Sequence, residues 1–517
     1  MRFPPKPIAR RLPPLALLVL TACTLIGPGI PPTPAPTIQF TLLPASNPTP
    51  TSTPTTTPPP PSTSSPIPAL QPDGRPLSAN GPWLLLATAL DGRTVDGLWA
   101  LNADGTGLTQ LVGDTIIAGP DEFGAAISPT GRHVAYITAD DTLWHGLTLH
   151  LLSLPDGESE VITALTSAQT EPPPDTPGVN DPAYAPLHAI AGLGRSLAWS
   201  PDGRRLAFVG AHEGPSADLY VYSPDDGSIT RLSDEPGQAM HPYWSPDGTA
   251  ILYASYTSIL VGRFAMAGVW AAAADGSGVT SLYDPNDPTP SDEEQFVAWV
   301  DDGAFMVYSR DPDCGWRDLR TVDVTTGAAR SLWPAYFNRM AFDHETGTVL
   351  VSVDPYTVVC NESGTAGIFR LTLTDPTPVP VADFAPTTLA RAWDGMFYAV
   401  THEAAVYRIT PGGEVSELAA PTAFVPVISP DRAYWAWTGQ TPKFVGGLWV
   451  GPIDGEPVPA FEGAVQVAIW SPDGARLFFI GDNALYLLDR GADEYDPQLI
   501  AQGVILRDLR GAAWAAP

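Results

Sequence analysis

Beyond about residue 82, apolar residues come in short runs and not at helical spacing. Leu206-Ala207-Phe208-Val209, Leu219-Tyr220-Val221-Tyr222, Ile251-Leu252-Tyr253-Ala254, Val269-Trp270-Ala271 and Leu477-Phe478-Phe479-Ile480 are each closed off by Gly, Pro, Asp or Ser. Runs of this length between turn formers predict buried β-strands. The Asp-Gly pairs supply the positive φ of a tight hairpin, and a preceding Pro presets the turn's entry. The turn signal also repeats. Trp199-Ser200-Pro201-Asp202-Gly203 recurs as Trp244-Ser245-Pro246-Asp247-Gly248 and Trp470-Ser471-Pro472-Asp473-Gly474. Worn copies begin at Ile127, Trp299, Phe342, Trp393 and Ile428, so successive starts lie 72, 45, 55, 43, 51, 35 and 42 residues apart.

Four short strands in about 40 residues predict the sheet of one β-propeller blade. The unit resembles the TolB-like β-propeller repeat, whose hallmark is the Trp-Ser-Pro-Asp-Gly turn. The resemblance covers residues 82–517 and implies a fold, not an activity. The two ends complement each other. Residues 83–112 read as a blade lacking its first strand, and Gly511-Ala512-Ala513-Trp514-Ala515 parallels Ser196-Leu197-Ala198-Trp199. The last strand is therefore expected to complete the first blade, which buries two otherwise open sheet edges. The expected fold class is all-β: a single β-propeller of eight or nine four-stranded blades, closed by its C-terminal strand and preceded by a signal peptide and a disordered Pro/Thr linker.

The N-terminus reads as an address. Residues 1–22 carry Arg2, Lys6, Arg10 and Arg11 with no acid, then an apolar run from Leu15 to Leu20. A run this short is a secretory signal, not a bilayer span. Leu20-Thr21-Ala22-Cys23 resembles the bacterial lipoprotein lipobox, which implies cleavage before Cys23 and lipid on its thiol. Several acyl chains on one residue anchor stably where one is marginal. Residues 23–81, nearly all Pro, Thr and Ser from Pro28, cannot bury enough apolar surface to offset their ordering entropy and are expected to form a disordered stalk.

Charge narrows the partners. The chain of 517 residues has 26 Lys+Arg against 56 Asp+Glu, a net charge of −30. Such a chain is repelled by nucleic acid and by an anionic bilayer surface. Cleavage before Cys23 would leave 22 − 56 = −34.

Candidate chemistry is sparse. In a four-stranded meander the motif turns share one face, and the connections between second and third strands and between blades share the other. The longer insertions (Thr166–Leu193, Ser255–Gly268, Tyr283–Glu294, Asp354–Gly367 and Thr438–Gly447) all fall on that second face, which is the expected binding face. Tyr256, Phe264, Trp316 and Tyr356 are its candidate aromatic contacts, and His241 is placed to face the central channel. The motif tryptophans are assigned to the core. Cys314 and Cys360 follow the second strands of neighbouring blades, and in an exported chain they are expected to pair as a disulfide. No cofactor and no metal site is expected. The acidic loops Asp284–Asp287 and Asp292–Glu294 leave Ca²⁺ open, without EF-hand spacing.

These features favour a membrane-tethered, extracytoplasmic and monomeric propeller that binds or scaffolds envelope proteins or glycans without catalysis. No Gly-x-Ser-x-Gly elbow and no phosphate-binding Gly loop occurs. The alternative is a polysaccharide lyase or glycosidase at the channel mouth, which would need residues such as His241, His188 and His402 to converge with acids on one point.

Overall fold

The computed structural model describes residues 70–516, apart from 90–96, 171–184, 283–292, 441–445 and gaps of up to four residues. The signal segment, Cys23 and the Pro/Thr-rich segment as far as residue 69 lie outside the described residues. The strands form nine four-stranded antiparallel sheets, each a meander of chain-consecutive strands except one. In that one, Trp83–Thr88 pairs with Ala512–Ala515, setting Leu84 opposite Trp514 and Trp83 opposite Ala515. The chain is a nine-bladed β-propeller, closed by its last strand. Blades are numbered here from the one holding Trp83.

Both faces of each blade are covered by a neighbour, so the strands read as unbroken apolar runs instead of alternating ones. In Trp83–Thr88, Trp83, Leu85 and Ala87 pack towards Ile117, Val134 and Tyr136 of blade two. Leu84 and Leu86 pack on Phe478 and Ile480 of blade nine. Nine such clusters among the described residues each fill one seam between blades, and they run round the ring without a break. First strands of neighbouring blades meet at several seams, such as Leu197–Trp199 with Gln238–Trp244 and Arg339–Asp343 with Thr388–Arg391, and so line the inner side.

The repeated turn does two jobs. Its Ser hydroxyl donates to the Asp carboxylate, 2.6 Å for Ser200–Asp202 and 2.7 Å for Ser245–Asp247, while Asp202 Oδ1 also accepts the Arg204 amide. Gly203 sits at φ +69° and closes the turn by donating to the Ser200 carbonyl. The motif Trp then clasps the preceding blade. The indole Nε1 of Trp199 donates to the Ala126 carbonyl at 3.0 Å, that of Trp244 to Ala198 at 2.8 Å, and that of Trp470 to Val427 at 3.0 Å.

Three local expectations are corrected. In blade seven, Trp393 is not the motif Trp. Arg391 pairs with Phe397 as Trp199 pairs with Leu206, and Gly395 closes on Ala392 as Gly203 does on Ser200, so Trp393 stands at the Pro position. In blade two the first strand is Ile116–Ala118, and a 3₁₀ turn, Phe123–Ala126, separates it from the motif turn. In blade four the Ser255–Gly268 insertion is no loop. Ala250–Leu260 and Arg263–Ala273 run on as a paired ribbon, with register shifts at Tyr256 that absorb its extra residues.

Candidate functional site

The candidate residues divide sharply. Tyr256 is buried, part of the cluster that fills the seam between blades two and three. Trp316 is half-buried, stacked on Tyr308 at 4.8 Å between ring centroids and edge-on to Phe337. The side chain of Phe264 lies outside the described residues. Tyr356 is 66% exposed, on the short helix Pro355–Cys360 between the second and third strands of blade six. That helix is pinned at both ends. Asp354 accepts the Thr357 amide at 2.7 Å, and Cys360 is bonded to Cys314 of blade five with the Cα atoms 5.9 Å apart. Just beyond, Asn361 exchanges two hydrogen bonds with the Tyr336 backbone.

His241 lies near the axis. Its backbone occupies φ +54°, at a register shift between Met240 and Tyr243, and its amide donates to the Arg195 carbonyl. A non-Gly residue held there is strained, a condition found more often at functional positions than elsewhere. His241 lines a small pocket of about 80 Å³ between blades four and five, with Tyr243, Leu252, Tyr256, Gln295 and Phe296. On the other side of Tyr243 an open cavity of about 390 Å³ lies among the inner strands of blades two to five, lined by Ile127, Arg195, Trp199, Trp244 and Trp299. Tyr243 stacks on Phe296 at 4.1 Å and carries the Arg195 guanidinium over its ring at 4.7 Å. Sequence reasoning missed Arg195, Tyr243 and Phe296. They come from three different blades, and no spacing along the chain links them.

The electrostatics follow the turns and the buried seams. The Ser hydrogen bonds hold the turn carboxyls of Asp202, Asp247 and Asp473 below the ordinary carboxylate range. Burial holds His133, His150, His188 and His212 below the ordinary histidine range. Among the described residues, no group of three or more His, Cys, Asp or Glu is placed to hold a metal ion. His188 packs edge-on to Trp144 and His402 is exposed. Of the acidic loops, Asp284–Asp287 and Asp292 lie outside the described residues, as do the side chains of Glu293 and Glu294.

The opposite face carries the chain's entry. Asp73 accepts the Gly107 amide at 2.8 Å and donates its own amide to Leu108, and Ser78 donates to Asn102. Residues 73–78 thus lie on the turn between the third and fourth strands of blade one, on the short-turn face.

No protein-family profile matches the chain. It is 50% identical over 54 residues, 10% of its length, to an uncharacterized peptidase, YuxL, of Bacillus subtilis. It is 31% identical over 146 residues, 27% of its length, to an uncharacterized protein of Agrobacterium fabrum. The chain spans 8% and 45% of those proteins' own lengths. Similar solved structures include TolB from Acinetobacter baumannii, with 15% identity over 60% of this chain and 65% of that one at a TM-score of 0.30. A eukaryotic initiation factor aligns at 14% identity over 83% and 99%, TM-score 0.49. The oligogalacturonate lyase of Vibrio parahaemolyticus aligns at 11% over 82% and 98%, TM-score 0.38. Likenesses this distant carry no functional argument.

Proposed function

We propose that this propeller is a non-catalytic binding or scaffold module of the bacterial cell envelope, outside the cytoplasm. Acylated Cys23 tethers it to a lipid bilayer, and the loop-bearing face recognises an envelope protein or glycan. One observation carries the reading: Tyr356 is held out to solvent on a helix that is capped at one end and disulfide-bonded at the other. An exposed aromatic ring is a good anchor, and fixing its support in advance lowers the ordering cost of binding. The disulfide supports an oxidising compartment, and the Leu20–Cys23 motif supports the tether.

The test uses the full chain in detergent, incubated with envelope proteins and with envelope glycans. Tyr356→Ala is expected to abolish capture without changing the melting temperature, and Cys23→Ser to move the protein from the membrane to the soluble fraction. The second reading, a lyase or glycosidase at the channel mouth, draws on the axial cavity with Arg195 at its wall. Turnover of a glycan by the purified chain would establish that reading and displace the first.

A further inference from the structure

The repeat supplies its own control, because eight copies of one turn, in every blade but the one closed by the C-terminal strand, face the same task of closing a blade. At the third position stand Pro129, Pro201, Pro246, Pro430 and Pro472. At the fifth stand Gly131, Gly203, Gly248 and Gly474, all between φ +65° and +70°. Blades five and six depart with Asp301 and His344 at the Pro position, and two further adjoining blades depart as follows. Blade seven puts Trp393 at the Pro position, where it is 74% exposed and the most exposed large apolar side chain among the described residues. Blade eight puts Arg432 at the Gly position, at φ +58° and with its side chain half in solvent. The turns do not need either residue. Gly395 still closes on Ala392, Ser429 still donates to Asp431, and an L-residue in the left-handed region is strained where glycine is not.

The two departures also meet. A Cβ on Gly395 would lie 3.9 Å from an Arg432 guanidinium nitrogen, so Arg432 reaches over the turn that carries Trp393. Glu345 of blade six forms ion pairs with Arg391 at 3.3 Å and with Arg432 at 3.6 Å. An exposed indole is thus framed by a base and an acid already placed, across three blades of the short-turn face.

We propose that this patch is a second interaction surface that docks a protein. Trp393 enters an apolar pocket of the partner, and Arg432 and Glu345 meet an acid and a base on that pocket's rim. Trp and Arg are the residues that concentrate binding energy in protein interfaces. A chain of net charge −30 with Glu345 in the patch is repelled by an anionic bilayer. A glycan strand would call for a row of stacking rings, and Trp393 is the one aromatic side chain so exposed on this face among the described residues. The proposal shares the reading of the chain as a binding module but not its choice of face.

The experiment places a photo-crosslinking phenylalanine analogue at position 393 of the full chain in cells that make the protein, with position 415 on an outer strand as control. The protein found in the adduct is then purified and titrated onto the full chain. Trp393→Ala is expected to weaken binding at least about thirtyfold and Arg432→Gly about tenfold. Both variants keep the melting temperature or, for Arg432→Gly, raise it, and Tyr356→Ala binds this partner as the parent does. No adduct, an adduct with glycan or lipid, or full binding by the two variants overturns the proposal. If capture survives Trp393→Ala but is lost in Tyr356→Ala, the second surface falls and the first stands. If neither change matters, both fall.

Discussion

The seam between blades three and four and the seam between blades six and seven do the same work with opposite chemistry. In the first, Trp244 hands a neutral N–H to the Ala198 carbonyl at 2.8 Å. In the second the equivalent residue is Arg391, whose Nε donates at 2.9 Å to Asp343, a carboxylate only 1% exposed. The position facing the preceding blade must reach across the seam with a donor, and either an indole or a guanidinium can do so. The fragility differs. A neutral hydrogen bond contributes about 1 kcal/mol net. Removing one partner of a buried ion pair leaves a buried charge without its counter-ion, and Asp343 would keep only the hydrogen bond from the Thr346 hydroxyl.

Four changes would sharpen or break this comparison. The largest effect is expected from truncation after Gly511, which removes the strand opposite Leu84 and takes Trp514 and Ala515 out of two seams. Calorimetry should then show the single cooperative melt replaced by a broad one, and an unchanged melt would sink the closed-ring account. Next is Arg391→Ala, expected to cost about 3–5 kcal/mol in denaturant unfolding because Asp343 stays buried without its cation. A loss below about 1 kcal/mol would mean that the pair is not the clasp of this seam. Trp244→Phe should cost about 1 kcal/mol more than Trp299→Phe, since both lose the same ring volume but the Trp299 indole N–H has no hydrogen-bond partner among the described residues. Equal losses would show that the clasp contributes nothing.

The smallest effect is that of pH. Burial holds His133, His150, His188 and His212 below the ordinary histidine range. The unfolded chain therefore binds protons first. Stability is fully present above about pH 6.5 and declines as pH falls towards the folded values. All four lie in blades two and three or in the segment joining them, so hydrogen exchange should quicken there first on acidification. Uniform quickening around the ring would contradict this.

Much of the fold was legible because the turn chemistry is local. Asp-Gly needs no tertiary context to mark a hairpin, and nine hairpin units with complementary ends point to a closed ring. The pairing of Cys314 with Cys360 could be anticipated from equivalent loops on adjacent blades. Register was harder. Trp393 beside Asp394-Gly395 looks like the motif Trp, and only the pairing of Arg391 with Phe397 shows that it stands two positions later. The ribbon over residues 250–273 reads as loop because its bulges break the alternation. The cluster of Arg195, Tyr243 and Phe296 was out of reach, since it exists only once blades three, four and five stand side by side.

The sheet that joins Trp83–Thr88 to Ala512–Ala515 sets the order in which the molecule can assemble. Leu84 and Trp514 are 514 − 84 = 430 positions apart, so their pairing carries the largest loop-closure entropy of any strand contact in the ring. Eight blades can form from neighbouring segments, but the ninth waits for the ends to find each other. Until then, two apolar seams stand open in a half-built row. A chain that crosses a membrane before folding would be most exposed to misassociation at that last step.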